Sequence, residues 1–386
     1  MGINRHLKLS IISLAVAFAN ISSFAQQVHT ESWENGIERS LVYRPGDFGS
    51  RFYRIPAIVT AQDGSLVTLA DKRIDHIKDL PARIDIVSRR STDGGLSWSP
   101  YVTVAQHDSI GGCGDPALVV DKSSGDIIAI FSHGNGLWQK NPAHISISRS
   151  KDNGLSWSPM TDINPQILTS DPEGIQPIKC TSAFASSGRA LQLDNGRIIF
   201  ALVTRQDGND YFPVYAIYSD DGGYNWNVSE TPATDNGDES KIVQLSDGTL
   251  LMSIRNRFGT LRKFSFSKDN GVSWSGPVPV EDLPDPCCNG DIIRYTSPDG
   301  KDYLLQSLPG DPDYRNNVAI YVSEDNGKTW PIRKTVVTSP SAYSSMTILP
   351  DGSIGILTEE SSNNHYSYDI WFTRLPFSSI ISGDKE

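Results

Sequence analysis

One eight-residue pattern recurs five times in this chain: "STDGGLSW" at 91–98, "SKDNGLSW" at 150–157, "SDDGGYNW" at 219–226, "SKDNGVSW" at 267–274 and "SEDNGKTW" at 323–330. All five read Ser-x-Asp-x-Gly-x-x-Trp. The residue types explain the turn they make. The aspartate accepts backbone N–H bonds, the glycine takes positive φ at no steric cost, and the serine caps the bend. The tryptophan then folds back as an apolar plug, so each copy predicts a self-contained hairpin tip.

A second, weaker series carries turn glycines at Gly64, Gly125, Gly196, Gly248, Gly300 and Gly352, with alternating or apolar runs on both sides. Successive spacings are 61, 71, 52, 52 and 52 residues, and the first five hairpins are followed 19 to 27 residues later by a Trp turn. The unit is therefore four strands, two hairpins in succession. No long segment of 3.6-residue period exists, which excludes a helical solenoid, and a parallel β-helix would repeat about every 20–30 residues. Four-stranded units repeated radially are the blades of a propeller. The chain is predicted to be all-β, a single six-bladed β-propeller of four-stranded antiparallel blades. The sixth unit lacks the Trp turn, which predicts a last blade closed by a strand from near Ser40–Tyr43.

The first 25 residues have the layout of a secretory signal peptide. Arg5, His6 and Lys8 precede an apolar stretch from Leu9 to Phe18, and "SSFA" offers a cleavage site after Ala25. The expected mature chain, 26–386, forms the one propeller domain and is exported, to a periplasm, the cell surface or the medium. Removing Arg5 and Lys8 leaves 32 basic residues against 45 acidic ones, so nucleic acid is a poor partner. No other segment is suited to crossing a bilayer. Any anionic substrate must be drawn in by local arginines against the global field. Four cysteines, Cys113, Cys180, Cys287 and Cys288, show no CxxC pair, and the scattered histidines form no HExxH, so no metal is expected.

Within "FYRIPAIV" the charged Arg54 stands among apolar residues. It either points to solvent or is buried because an anion needs it. With five Asp-box turns behind it, "YRIP" resembles the exo-sialidases (neuraminidases) of bacterial type, and the resemblance covers nearly the whole mature chain. It implies removal of terminal α-linked sialic acids from glycoproteins, glycolipids or oligosaccharides without any cofactor. It also implies three arginines for the sialic acid carboxylate, whose positions here match Arg54, Arg255 in "LMSIRNR" and Arg315 in "DYRNNVAIY". Planar guanidinium groups suit that carboxylate because each donates a fixed fork of hydrogen bonds. Arg257 competes with Arg255 for the second place. Glu359 in "GILTEE" matches the glutamate that braces the first arginine, with Glu360 as the alternative facing the other way.

The same resemblance makes Tyr343 in "SPSAYSSMTI" the nucleophile and Glu239 in "GDESKIVQL" its base. A carboxylate nucleophile would be repelled by the substrate's own carboxylate, whereas a neutral phenol is not; sialidases with a tyrosine nucleophile are a known exception to the two-carboxylate pattern. At neutral pH only about one phenol in a thousand is ionised, a deficit of about 4 kcal/mol unless a base takes the proton during attack. For the acid/base, "LADKRIDHIKDLPARID" offers Asp75, Asp79 and Asp85. Asp79, six residues beyond Arg73, has the expected spacing, although Pro81 departs from the polar residues expected there. Arg73 and Asp115 in "GCGDPALVV" match groups that contact the 4-hydroxyl and the N-acyl region, and Trp138 is a further candidate lining residue. Two alternatives keep most of these features: a trans-sialidase or hydrolase of a related nonulosonic acid, and a non-catalytic glycan-binding propeller.

Overall fold

In the computed structural model, which describes residues 30–32, 36–137, 143–168, 180, 182–205, 210–361 and 367–385, the chain forms six small sheets in sequence order. The first blade comprises Phe52–Thr60, Leu66–Arg73, Ile84–Ser91 and Val102–Ala105, from the axis outward. The innermost strands of the next five are Gly112–Val120, Ser182–Ala185, Ser240–Gln244, Asp291–Thr296 and Ser341–Ile348. The first 25 residues and Trp138 lie outside the described residues.

The predicted closure is present. Glu38–Tyr43 pairs antiparallel with Asp369–Leu375, in the register Glu38↔Arg374 and Leu41↔Trp371, and completes the sixth blade. Only the first and fourth sheets stop at four strands. Elsewhere short strands are added, including Gly188–Arg189, which runs parallel along the inner strand of the second blade, and Asp384–Lys385 on the outer edge of the fifth.

All five Trp turns join the third strand of a blade to its fourth. In the first, the Ser91 hydroxyl donates to Asp93 Oδ1 at 2.7 Å and accepts from Gly95 N at 2.9 Å, while Asp93 Oδ1 also accepts from Ser97 N at 3.0 Å. The pattern repeats at Ser150, Ser219, Ser267 and Ser323. Burial opposes ionisation of Asp221, but the N–H groups of Asn225 and the Ser219 hydroxyl outweigh it and lower its carboxyl to about 2.

The tryptophans do more than plug their own turns. Six clusters of the apolar core lie one at each seam between neighbouring blades, and a seventh joins Ile55, Cys288, Ala342, Tyr343 and Tyr368. Each turn tryptophan joins the seam with the preceding blade: Trp98 against the sixth, Trp157 against the first, Trp226, Trp274 and Trp330 against the second, third and fourth. Trp98 also meets Phe372 edge-on at 5.5 Å and donates Nε1–H to Ser40 Oγ at 2.9 Å. The sixth blade has no such tryptophan. Its seam with the fifth is filled by the short helix Phe377–Ile381, whose Ile380 is buried there and whose Phe377 stacks on Tyr295 at 4.1 Å.

Candidate active site

Two inner strands bulge where they reach the mouth of the axis. Between Arg54 and Ala57 the register shifts, Ile55 takes a φ of 57°, and Pro56 has no N–H to give. Between Gly114 and Ala117 the same happens around Asp115, with a φ of 57°, and Pro116. Each bulge frees one backbone N–H, and a carboxylate of the preceding blade takes it. Ile55 N donates to Glu359 Oε1 at 2.8 Å, and Asp115 N donates to Asp71 Oδ1 at 3.1 Å. The proline of "YRIP" therefore has a structural meaning: it breaks the ladder at the residue that must face the axis.

Arg54 is buried and meets Glu359 through a bidentate pair, Nε to Oε1 at 2.8 Å and Nη2 to Oε2 at 3.0 Å. Glu359 is fully buried and also accepts from Tyr343 N at 3.3 Å. Glu360 faces the other way, onto Arg39. The Arg54 guanidinium lies 4.9 Å from the centre of the Tyr343 ring and that of Arg315 lies 5.6 Å from it. Arg315 Nη2 donates to the Cys287 carbonyl at 2.7 Å, and Arg255 Nη2 donates to Cys287 Sγ at 3.3 Å, so one residue positions two of the three arginines. All four cysteines are free thiols.

Tyr343 sits at the convergence of these groups. Its hydroxyl donates to Glu239 Oε1 at 2.6 Å and accepts from Arg255 Nη1 at 2.9 Å, while Arg255 Nη1 also pairs with Glu239 Oε2. Burial opposes ionisation of Glu239, but Arg255 and hydrogen bonds from Asp238 and Tyr343 hold its carboxyl well below the usual carboxylate range. Burial and then the Glu239 charge push the Tyr343 phenol well above its ordinary value, against the pull of the three arginines. Both shifts leave the shared proton on the tyrosine.

Across the cavity, Asp79 stands on the loop after Leu66–Arg73 with 78% of its side chain exposed, paired to Arg73 Nη2 at 2.7 Å. Arg73 itself is buried and held from behind by Asp71 at 2.9 Å. Asp75 pairs with Arg83 and Asp85 with His107, so both are turned to other partners. Burial, reinforced by the charges of Asp71, Asp79 and Glu239, raises the Asp115 carboxyl well above its ordinary value. Burial likewise raises Asp238 to about 7 against the lowering effect of Arg255, with Glu239 adding to the rise.

One cavity of about 530 Å³ is lined by Arg54, Asp79, Asp115, Glu239, Arg255, Arg315 and Tyr343 together. Glu359 lies beneath Arg54, and Arg73 beneath Asp79. Of the residues singled out in the sequence, none of these nine lies away from the site. Missed were Asp71, inside the quoted "ADKR"; Asp238, beside Glu239; and the supporting Cys287. Arg257 also lines the cavity, but it makes no contact with the Tyr343–Glu239 pair among the described residues. No group of three or more His, Cys, Asp or Glu among the described residues is disposed to hold a metal ion.

Known proteins match this chain in repeat pattern and fold. The BNR repeat-like domain matches residues 81–356. A sialidase of Micromonospora viridifaciens is 35% identical over 82% of this chain and 51% of its own, and one of Bacteroides fragilis (strain YCH46) is 29% identical over 85% and 64%. The chain thus spans less than two thirds of the length of either relative. Among solved structures, Hadza microbial sialidase Hz136 superposes with a TM-score of 0.79 at 29% identity, covering 89% of this chain and 69% of that one. Propeller, repeats and matched span agree, and the chain belongs to the family of the BNR repeat-like domain.

Proposed function

We propose that the protein is a retaining exo-sialidase, a glycoside hydrolase that releases terminal α-linked sialic acids from glycoproteins, glycolipids or oligosaccharides. The observation that carries the reading is the Tyr343–Glu239 hydrogen bond of 2.6 Å beside Arg54, Arg255 and Arg315. A tyrosine so placed serves a substrate whose reacting carbon itself bears a carboxylate. The sialidase relatives support the release of sialic acid.

The three guanidinium groups grip the substrate carboxylate and bring the anomeric carbon over the phenol oxygen. Tyr343 attacks as its proton passes to Glu239, so a free phenolate, which burial disfavours, never has to form. The substrate carboxylate also shares Arg255 with Glu239, which loosens the hold on that carboxylate and strengthens it as a base. Asp79 protonates the leaving glycosidic oxygen. A sugar hydroxyl that accepts from Arg73 draws that guanidinium off Asp79. In the second half Asp79, now ionised, takes a proton from water, and hydroxide displaces the tyrosine with Glu239 returning its proton. Two inversions give net retention.

The test is release of 4-methylumbelliferone from its α-sialoside by the wild type and by Tyr343→Phe. Turnover by the wild type with a loss of about 10³-fold or more in the variant supports both the activity and the nucleophile. Turnover little changed in the variant removes Tyr343 from the role, and no turnover by folded wild type removes the activity.

A further inference from the structure

Three inner strands that supply the candidate active site carry a second cavity, of about 430 Å³, at their other ends. Phe52–Thr60 brings Arg54 to the first and 58–60 to the second, and Gly112–Val120 divides Asp115 from Val119 in the same way. Ser341–Ile348 does so with Tyr343 and 346–348. A strand advances about 3.3 Å per residue, so the two cavities open at opposite mouths of the axis. Gly188–Arg189 runs into the axis here, parallel to Ala117 and Leu118 of the second blade and against the inner strands of the first and sixth. Arg189 reaches on to the fifth blade, where Nε donates to the fully buried Asp291 at 3.2 Å and Nη2 to the Ile292 carbonyl. Its Nη1 has no hydrogen-bond partner among the described residues.

Three cations line this cavity, Lys122, Arg189 and Arg294, and no Asp or Glu does, in a chain of 34 basic and 45 acidic residues. Arg294 is held by Asp302 at 3.3 Å, whereas Lys122 is exposed at the rim and forms no ion pair among the described residues. The walls behind are apolar, with Ile58, Ile293 and Met346 all buried. We propose that this cavity binds a small amphipathic carboxylate, its head group on Arg189 and Lys122 and its chain against those walls. The proposal does not rest on the sialidase reading. The volume falls within the range of about 300–1,000 Å³ usual for small-molecule sites. A guanidinium with a free N–H edge suits a carboxylate, and the apolar walls favour an aliphatic chain over a bare ion. A cation would meet three like charges, and an uncharged molecule would leave the head-group partners unused. An extended polyanion is a poor fit, because these cations line a recess in a chain that is acidic as a whole.

The experiment is calorimetric titration of the whole protein, near neutral pH, with octanoate, octylammonium and acetate. Octanoate is expected to bind one to one. The other two are expected to bind at least about tenfold more weakly, since one inverts the charge and the other lacks the chain. Lys122→Glu and Arg189→Gln are each expected to weaken octanoate about tenfold, the effect of losing a charge-assisted hydrogen bond. Arg315→Met, in the other cavity, is expected to leave octanoate within about twofold. If Arg189→Gln does not fold, having left Asp291 buried without its arginine, the exposed Lys122→Glu decides. No binding of octanoate at millimolar concentration, equal binding of either comparator, or a constant untouched by Lys122→Glu overturns the proposal. So does loss of binding in Arg315→Met, which would put octanoate on the arginine triad.

Discussion

Glu359 serves Arg54, the bulged Ile55 N–H and the Tyr343 N–H at once, so one carboxylate holds the first arginine, the kink that aims it and the strand that carries Tyr343. Replacing it with glutamine keeps the shape and leaves Arg54 as a buried cation without a counter-charge. Removing one partner of a buried ion pair costs about 3–5 kcal/mol. Glu359→Gln is therefore expected to lower stability by about 3 kcal/mol in urea unfolding and to raise KM at least about tenfold. An unchanged KM would separate Glu359 from substrate binding. At this scale the sequence is legible where a motif repeats a known arrangement, as "YRIP" does for Arg54. Arg257, Asp238 and Phe212 were not legible as a group. They come from two blades, 212 and 257 are far apart in sequence, and a Phe–Arg stack leaves no pattern in either local stretch.

The Asp-box glycine shows why an element repeats so strictly. At Gly95, Gly154, Gly223 and Gly271 an added Cβ would lie 2.0, 2.8, 2.8 and 2.2 Å from a side chain of the preceding blade, and at every one φ is positive. The turn thus seats its backbone directly on its neighbour, while its tryptophan enters the same seam. Gly271→Ala is expected to cost about 2–4 kcal/mol, combining the left-handed conformation with a clash at Ile199. Gly248→Ala, at a φ of +86° with no atom within 4 Å, bears only the conformational part, about 1 kcal/mol. Equal shifts in denaturant midpoint would contradict the seating. Spacing and turn chemistry made the hairpins legible in the sequence. The seam was not, because a contact with the preceding blade is invisible to local periodicity, and the same holds for the helix Phe377–Ile381 that stands in for the missing sixth tryptophan.

Across the whole molecule, the blades meet around a buried cation at the axis. Lys241, on the fourth inner strand, donates to the Ser186 carbonyl at 2.9 Å and to Asn289 Oδ1 at 2.7 Å, joining the segments on either side. Burial, opposed by Asp291 and Glu239, lowers its ammonium from 10.5 to about 7. Between those values the unfolded chain binds the extra proton, so this residue makes stability rise with pH, by at most about 1.4 kcal/mol per unit. Below pH 7 the folded protein carries the full penalty of the buried charge. The stability difference between wild type and Lys241→Met is expected to change in favour of wild type from pH 7 to 8.5, measured by urea unfolding of both. A difference independent of pH would show that Lys241 is charged throughout. The closing strand has another consequence. Pairing of Glu38–Tyr43 with Asp369–Leu375 joins the two ends of the propeller, and the cavity takes groups from the first blade and from the sixth. A fragment that lacks the first or the sixth blade lacks part of that lining. On the proposed function, turnover becomes a report that the circle has shut, and a sensor that reads sugar release would count completed molecules.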